Sequence, residues 1–216
     1  MLDPNEKNIT SEKNSPEKNE TSAHSWIARS FSSEIIRFVF IAVFVVLPIR
    51  IFIAQPFIVS GSSMDPTFKN GEYLIVDEIS YRFEDPQRGD VVIFKYPLDT
   101  SKYFIKRIIG LPGEHLTITG NTIAVTSTKN PEVLRLDEAF LSHQTFGNVD
   151  IVLGKDEYFV MGDNRPASSD SRIWGPLKKE FITGRALVRL LPIKRTSLFP
   201  GSHTYLETNT TTTSTQ

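Results

Sequence analysis

The stretch IIRFVFIAVFVVLPIRIFIAQPFIVS, residues 35–60, constrains the chain more than any other. It is apolar on nearly every helical face, which disfavours a helix half-exposed on a globular surface. Its uncharged part, Phe38 to Ile49, is 12 residues long, short of the ~20 that span a bilayer. Extended to Ala54 it approaches that length if Arg37 and Arg50 snorkel to opposite interfaces. A cleaved leader would have a short basic start and a small-residue site after its core. Here more than thirty residues precede the stretch and AQPFIVS is a poor site. The expectation is an uncleaved membrane anchor over residues 35–56, in preference to a buried core helix. Lys18, Arg29 and Arg37 lie on one side, Arg50 and Lys69 on the other. That slight bias puts the N-terminus on the cytoplasmic side.

On either side of the expected globular part the composition turns polar. Residues 1–34 are rich in Asn, Glu, Lys, Ser and Thr, too poor in apolar groups to build a core. Residues 200–216 end in the low-complexity run ETNTTTTSTQ. Both are expected to be disordered tails. Lys and Arg total 24 against 25 Asp and Glu, so no strongly basic face argues for a nucleic-acid partner. With no cysteine in the chain, disulfides, thiolate zinc sites and iron–sulfur clusters are excluded. His24, His115, His143 and His203 are scattered without ligand spacing, so no metal and no cofactor is expected.

From residue 57 to 199 the sequence reads as an all-β domain. YLIVDEI (Tyr73 to Ile79), DVVIFKY (Asp90 to Tyr96) and YFIKRII (Tyr103 to Ile109) are β-branched and aromatic runs bounded by turn residues. LTITGNTIAV, from Leu116, predicts a hairpin about Gly120-Asn121. EYFVM and ALVRLL supply later strands, and residues 126–156 are less regular and predict a small inserted subdomain.

The segment SGSSMDPTF places Ser60, Ser62 and Ser63 within four positions, with no histidine nearby. A serine without histidine can be activated by a neutral lysine. An ordinary lysine is ~99.9% protonated at neutral pH, so a lysine base must titrate about three pH units lower, a penalty of roughly 4 kcal/mol on the charged form. Burial among apolar groups supplies effects of that size. Lys106, in YFIKRIIG, is the lysine embedded in an apolar β-type run. Strand alternation sets it beside Phe104 and Ile108, with Ile105 and Arg107 pointing the other way. On the strand alone, a snorkelling edge lysine and a desolvated base both remain open.

The blocks SGSSMDPTF, RGDVVIFKYP, YFIKRIIGLPGE and YFVMGDNRPASSDSRIWG follow one another behind a single N-terminal anchor. In order and spacing they resemble the bacterial type I signal peptidases, over roughly Ile35 to Arg195. The resemblance implies a membrane-anchored serine endopeptidase that removes signal peptides from exported preproteins after an Ala-x-Ala type site. It implies Ser63 as nucleophile and Lys106 as general base. It also implies Ser168 as the hydroxyl that orients the lysine, with Asp170 and Arg172 as a bracing pair above the turn Gly162-Asp163-Asn164. Val59, Met64, Phe68, Phe104 and Ile105 match the apolar lining of the substrate pockets. Some members carry a serine two positions before the nucleophile; here that position is Gly61. The oxyanion donors expected are therefore the Ser63 backbone N–H together with Ser62 or Ser60. The implied partners are signal-peptide-bearing preproteins, the lipid bilayer and the secretion translocon. The implied location is the plasma membrane, single-pass, with the catalytic domain outside.

Two rival readings make different demands on the sequence. A self-cleaving Ser-Lys repressor would need a helix-turn-helix segment and a self-cleavage site, and no anchor. A membrane-tethered β-domain that only binds partners would not need Ser63, Lys106 and Ser168 together. The endoplasmic-reticulum type of signal peptidase carries histidine where this chain has Lys106.

Overall fold

The computed structural model of the chain describes residues 34–46, 54–127 and 132–205. The predicted N-terminal tail up to residue 33, the anchor residues 47–53 and the Thr-rich run beyond residue 205 lie outside them. The chain divides into two compact units, Met1–Leu47 and Pro48–Gln216. In the first, residues 34–46 are helical, ending in a π-helical turn at Ala42–Val46. The side chains from Ile35 to Val46 are exposed. Among the described residues no helix is long and apolar enough to cross a membrane.

The second unit is built from β-strands. They are β1 Ala54–Ile58, β2 Tyr73–Asp77, β3 Val91–Tyr96, β4 Asp99–Gly110, β5 Glu114–Thr119 and β6 Thr122–Ser127, followed by β7 Leu134–Arg135, β8 Asn148–Val152, β9 Glu157–Met161, β10 Leu177–Lys178, β11 Ile182–Leu191 and β12 Ser197–Leu198. One sheet runs β1-β2-β11-β3-β4-β9-β10, with β12 paired to β11; a second runs β7-β6-β5-β8. Every pairing is antiparallel. The expected hairpin forms at β5–β6: Thr119 pairs Thr122, and Gly120 takes the positive φ (+61°) that a two-residue turn requires. The irregular insertion supplies β7 and β8, which complete the second sheet.

Two boundaries differ from the sequence expectation. Ala54 to Pro56, assigned to the anchor by their apolar neighbours, belong to β1 and pair with β2. Pro56 is tolerated there because β1 is an edge strand, where a missing N–H costs no ladder bond. At the other end the folded body continues past residue 199: Tyr205 is only 8% exposed and joins a cluster with Ile109, Phe159 and Met161.

The ends of the alternating strands show why this unit holds together. In β5, Glu114, Leu116 and Ile118 are buried while their neighbours are half-exposed, as a sheet with one covered face demands. The second half of β4, Lys106–Gly110, is buried throughout, with β3 and β9 on its two edges and apolar clusters on its faces. Two adjacent cations, Lys106 and Arg107, therefore leave water together, 3% and 1% exposed.

Candidate active site

The loop between β1 and β2 carries the serines, and it is shaped by hydrogen bonds at both ends. Val59 N–H donates to Glu72 O, and Gly71 N–H donates back to Val59 O, closing the loop's neck at 2.9 and 2.8 Å. Gly61, at φ +94°, donates its N–H to Asn70 Oδ1. The turn after β9 grips the same loop. Asn164 N–H donates to Ser63 O, and its Nδ2 donates to Ser62 O, each at 3.0 Å. Gly162 is packed so closely that a Cβ there would lie 2.4 Å from Ser63 O and 2.3 Å from Ser168 Oγ.

On the facing strand, Val92 of β3 is register partner to Lys106 of β4. Lys106 Nζ donates to Ser63 Oγ at 2.7 Å and to Ile105 O at 3.0 Å, and lies 5.2 Å from the centre of the Phe104 ring. The two residues are 43 positions apart in sequence. Burial pushes Lys106 down to about 8, against the pull of the Asp170 and Asp163 charges. At that value about a tenth of it is neutral at pH 7. A lysine amine held this way can, once neutral, accept the proton of a hydroxyl in contact with it.

Arg107, the next residue, points away and holds the site's frame. Its Nε and Nη2 donate to the two oxygens of Asp163 at 2.8 and 2.6 Å, and its Nη1 donates to Gly89 O and Gly201 O. Asp163 also accepts the hydroxyl of Thr67, and its N–H points to Met64 Sδ at 3.4 Å. The fork-to-fork pair is fully buried and bidentate, the geometry in which a guanidinium and a carboxylate bind best. Asp170 is likewise buried: it accepts Gly162 N–H at 3.1 Å and pairs with Arg172, whose Nη2 also reaches Arg165 O.

A groove of about 500 Å³ opens at the Ser63–Lys106 contact and runs between the outer edge of β1 and the first half of β4. Of the residues matched to the substrate pockets, Val59, Phe104 and Ile105 line it, and so do Ser60 and Ser62. Phe57, Tyr103, Lys102, Ile93 and Ala167 line it too and were not anticipated. Met64 and Phe68 do not line it. The turn after Ser63 carries them into the core beneath, 1% and 0% exposed, against Leu74, Val76 and Ile93. Ser168 Oγ is buried but makes no hydrogen bond, so the expected bond to Lys106 is not formed. No acceptor within the described residues takes the Ser63 N–H, which leaves that donor available.

A serine hydroxyl bonded to a desolvated lysine at the head of an apolar groove is machinery for acyl transfer. The signal peptidase family, peptidase S26, matches residues 32–191. The chain belongs to that family. It is 38% identical over 166 residues to the probable signal peptidase I-2 of Synechocystis sp., covering 73% of this chain and 72% of that one. To the probable signal peptidase I-1 of the same organism it is 36% identical over 188 residues, covering 83% and 92%. To signal peptidase I of Leptolyngbya laminosa it is 35% identical over 164 residues, covering 72% and 77%. As a signal peptidase it is a serine endopeptidase acting on signal-peptide-bearing preproteins.

Arg107 and Thr67 also belong to this signal peptidase site, through Asp163. The adjacent arginine in IKR carried the signal: a second cation in a buried strand demands a buried carboxylate.

Proposed function

We propose that Ser63 is the nucleophile and Lys106 the general base of a membrane-anchored endopeptidase that cuts preproteins after an Ala-x-Ala type site. The observation that carries this reading is the 2.7 Å contact between Lys106 Nζ and Ser63 Oγ, with the lysine buried. Neutral Lys106 takes the proton as Ser63 Oγ attacks the scissile carbonyl. Lys106 then donates that proton to the leaving amine, and an acyl-enzyme remains. Water, deprotonated by the same lysine, attacks the ester and frees Ser63.

The oxyanion is held by the Ser63 N–H, with the Ser62 or Ser60 hydroxyl as second donor. Each such donor contributes roughly 3–4 kcal/mol to the transition state. The substrate lies extended in the groove, adding to the open edge of β1 through its main chain, while the apolar floor admits only small side chains beside the cut. Asp170 and Arg172 brace the turn that carries Gly162. The stretch 35–53 anchors the enzyme in the plasma membrane with the N-terminus inside, which keeps the groove near the point where a signal peptide leaves the bilayer.

A preprotein with an Ala-x-Ala site separates this reading from others. Ser63→Ala and Lys106→Ala should each lower its cleavage by at least about a thousandfold while leaving the protein folded. Processing by Ser63→Ala at the normal rate would overturn the assignment.

A further inference from the structure

The C-terminal segment Gly201–Tyr205 was expected to be part of a tail, yet it covers the buried pair beside the base. Gly201 O accepts Arg107 Nη1 at 2.5 Å. Gly201 itself, at φ +74°, lies so close to Thr67 and Phe68 that a Cβ would come within 2.6 Å of Thr67 Cγ2. Two residues on, His203 O presses against Gly89, where a Cβ would stand 1.7 Å away. The His203 ring stacks on Phe140 at 3.9 Å, Tyr205 meets both rings edge-on, and Phe140 lies over the Arg107 guanidinium at 5.0 Å. Tyr205 ends in the same apolar cluster as Ile109 and Met161, which flank the pair on β4 and β9.

Arg107 and Asp163 thus form a knot with four segments of the chain tied to it. β4 brings the arginine and the neighbouring Lys106, the turn after β9 brings Asp163, the nucleophile loop brings Thr67, and the C-terminal segment closes the open side. We propose that Gly201–Tyr205 is a positioning strap for the reaction: by excluding water from the Arg107–Asp163 pair it holds the Lys106 strand and the Ser63 loop in register. The inference rests on Ser63 and Lys106 acting as proposed above. The charged groups that bear on Lys106 are Asp163 with its partner Arg107, and Asp170 with its partner Arg172. His203 sits on the strap within reach of Arg107, Asp137 and Asp163. With the pair hydrated, the Ser63 loop and the turn after β9 that are tied to it would loosen over Lys106, admit water to the amine and return it toward its ordinary basicity.

Gly201→Ala lifts the start of the strap from Thr67, and Tyr205→Ser releases its end. In the full chain, each should lower kcat/KM at pH 7 about tenfold and move the acid limb of the pH profile up by about one pH unit. KM for a peptide substrate should be unchanged, because the groove is not touched. A loss of rate with the acid limb in place assigns the segment to stability alone and overturns the proposal. So does wild-type behaviour in both variants, or loss of folding in both, read from circular dichroism and thermal unfolding. Ser63→Ala run alongside separates the two readings: if it is dead while the strap variants behave as wild type, only the strap fails, and if it is active the proposed chemistry fails first.

Discussion

Asn164 N–H donates to Ser63 O at 3.0 Å, and this bond ties the Ser63 loop to the turn that follows β9. Gly162, two residues earlier, fits between Ser63 O and Ser168 Oγ with no space for a methyl group. The loop and the turn are therefore held against each other at Ser62 and Ser63, and the Ser63 hydroxyl is aimed by contacts to its own backbone.

Gly162→Ala should show this directly. The added methyl must displace Ser63 or Ser168, and a shift of an ångström in a reacting group costs about a hundredfold in rate. Stopped-flow or fluorogenic-peptide kinetics should show the loss in kcat, with overpacking lowering stability by about 1–3 kcal/mol. An active Gly162→Ala variant would mean that the nucleophile loop is free of the turn.

Activity should follow the neutral fraction of Lys106. Burial holds its titration at about 8, so kcat/KM should rise tenfold per pH unit below that value and level off above it. A profile flat from pH 6 to pH 9 would rule out a lysine base.

The same burial costs stability. The folded protein holds Lys106 at about 8 and the unfolded chain at its ordinary 10.5, so the unfolded state binds the extra proton. The penalty is fully present below pH 8, roughly 3 kcal/mol, and vanishes as the pH rises to 10.5. Lys106→Met should accordingly be inactive yet more stable than wild type at pH 7. The advantage should fade above pH 8 in denaturant titrations.

Charge pairs should divide by burial. Asp163→Asn leaves Arg107 charged and unmatched in the interior, and breaking a buried pair from one side costs about 3–5 kcal/mol. Lys102, paired with Asp99 at the open surface, should be replaceable by Ala without change in Tm.

Ser168 offers a cleaner separation of roles. Its hydroxyl is buried without a hydrogen bond, so Ser168→Ala should keep or raise thermal stability. A fall in kcat alone would give the hydroxyl a part in the chemistry, and unchanged kinetics would remove it.

The contact of Ser63 with Lys106 was legible through the resemblance of four blocks in order, because the strand alone left Lys106 open between a snorkelling lysine and a desolvated base. A lysine flanked by Phe and Ile in a strand must either escape to water or lose basicity, and Lys106, 3% exposed, has not escaped. Met64 and Phe68 were misassigned to the groove for a physical reason. Alternation predicts direction only along a strand, and the Ser60–Phe68 loop is a succession of turns that folds both side chains inward. Residues 200–205 were hidden by composition. Gly, Ser, His and Thr read as tail, and what anchors them, Phe140, lies some sixty positions away in the insertion.

An open strand edge bordering an apolar groove has a cost beyond this molecule. Among the described residues β1 pairs with β2 alone, and its outer side offers main-chain groups to any extended chain, the template on which sheets of different molecules join. Pro56 removes one donor from that edge, and Lys102 sets a charge on the groove's opposite wall. Crowding copies of this domain together should therefore block the edge to substrate, so that the enzyme becomes its own competitor at high concentration.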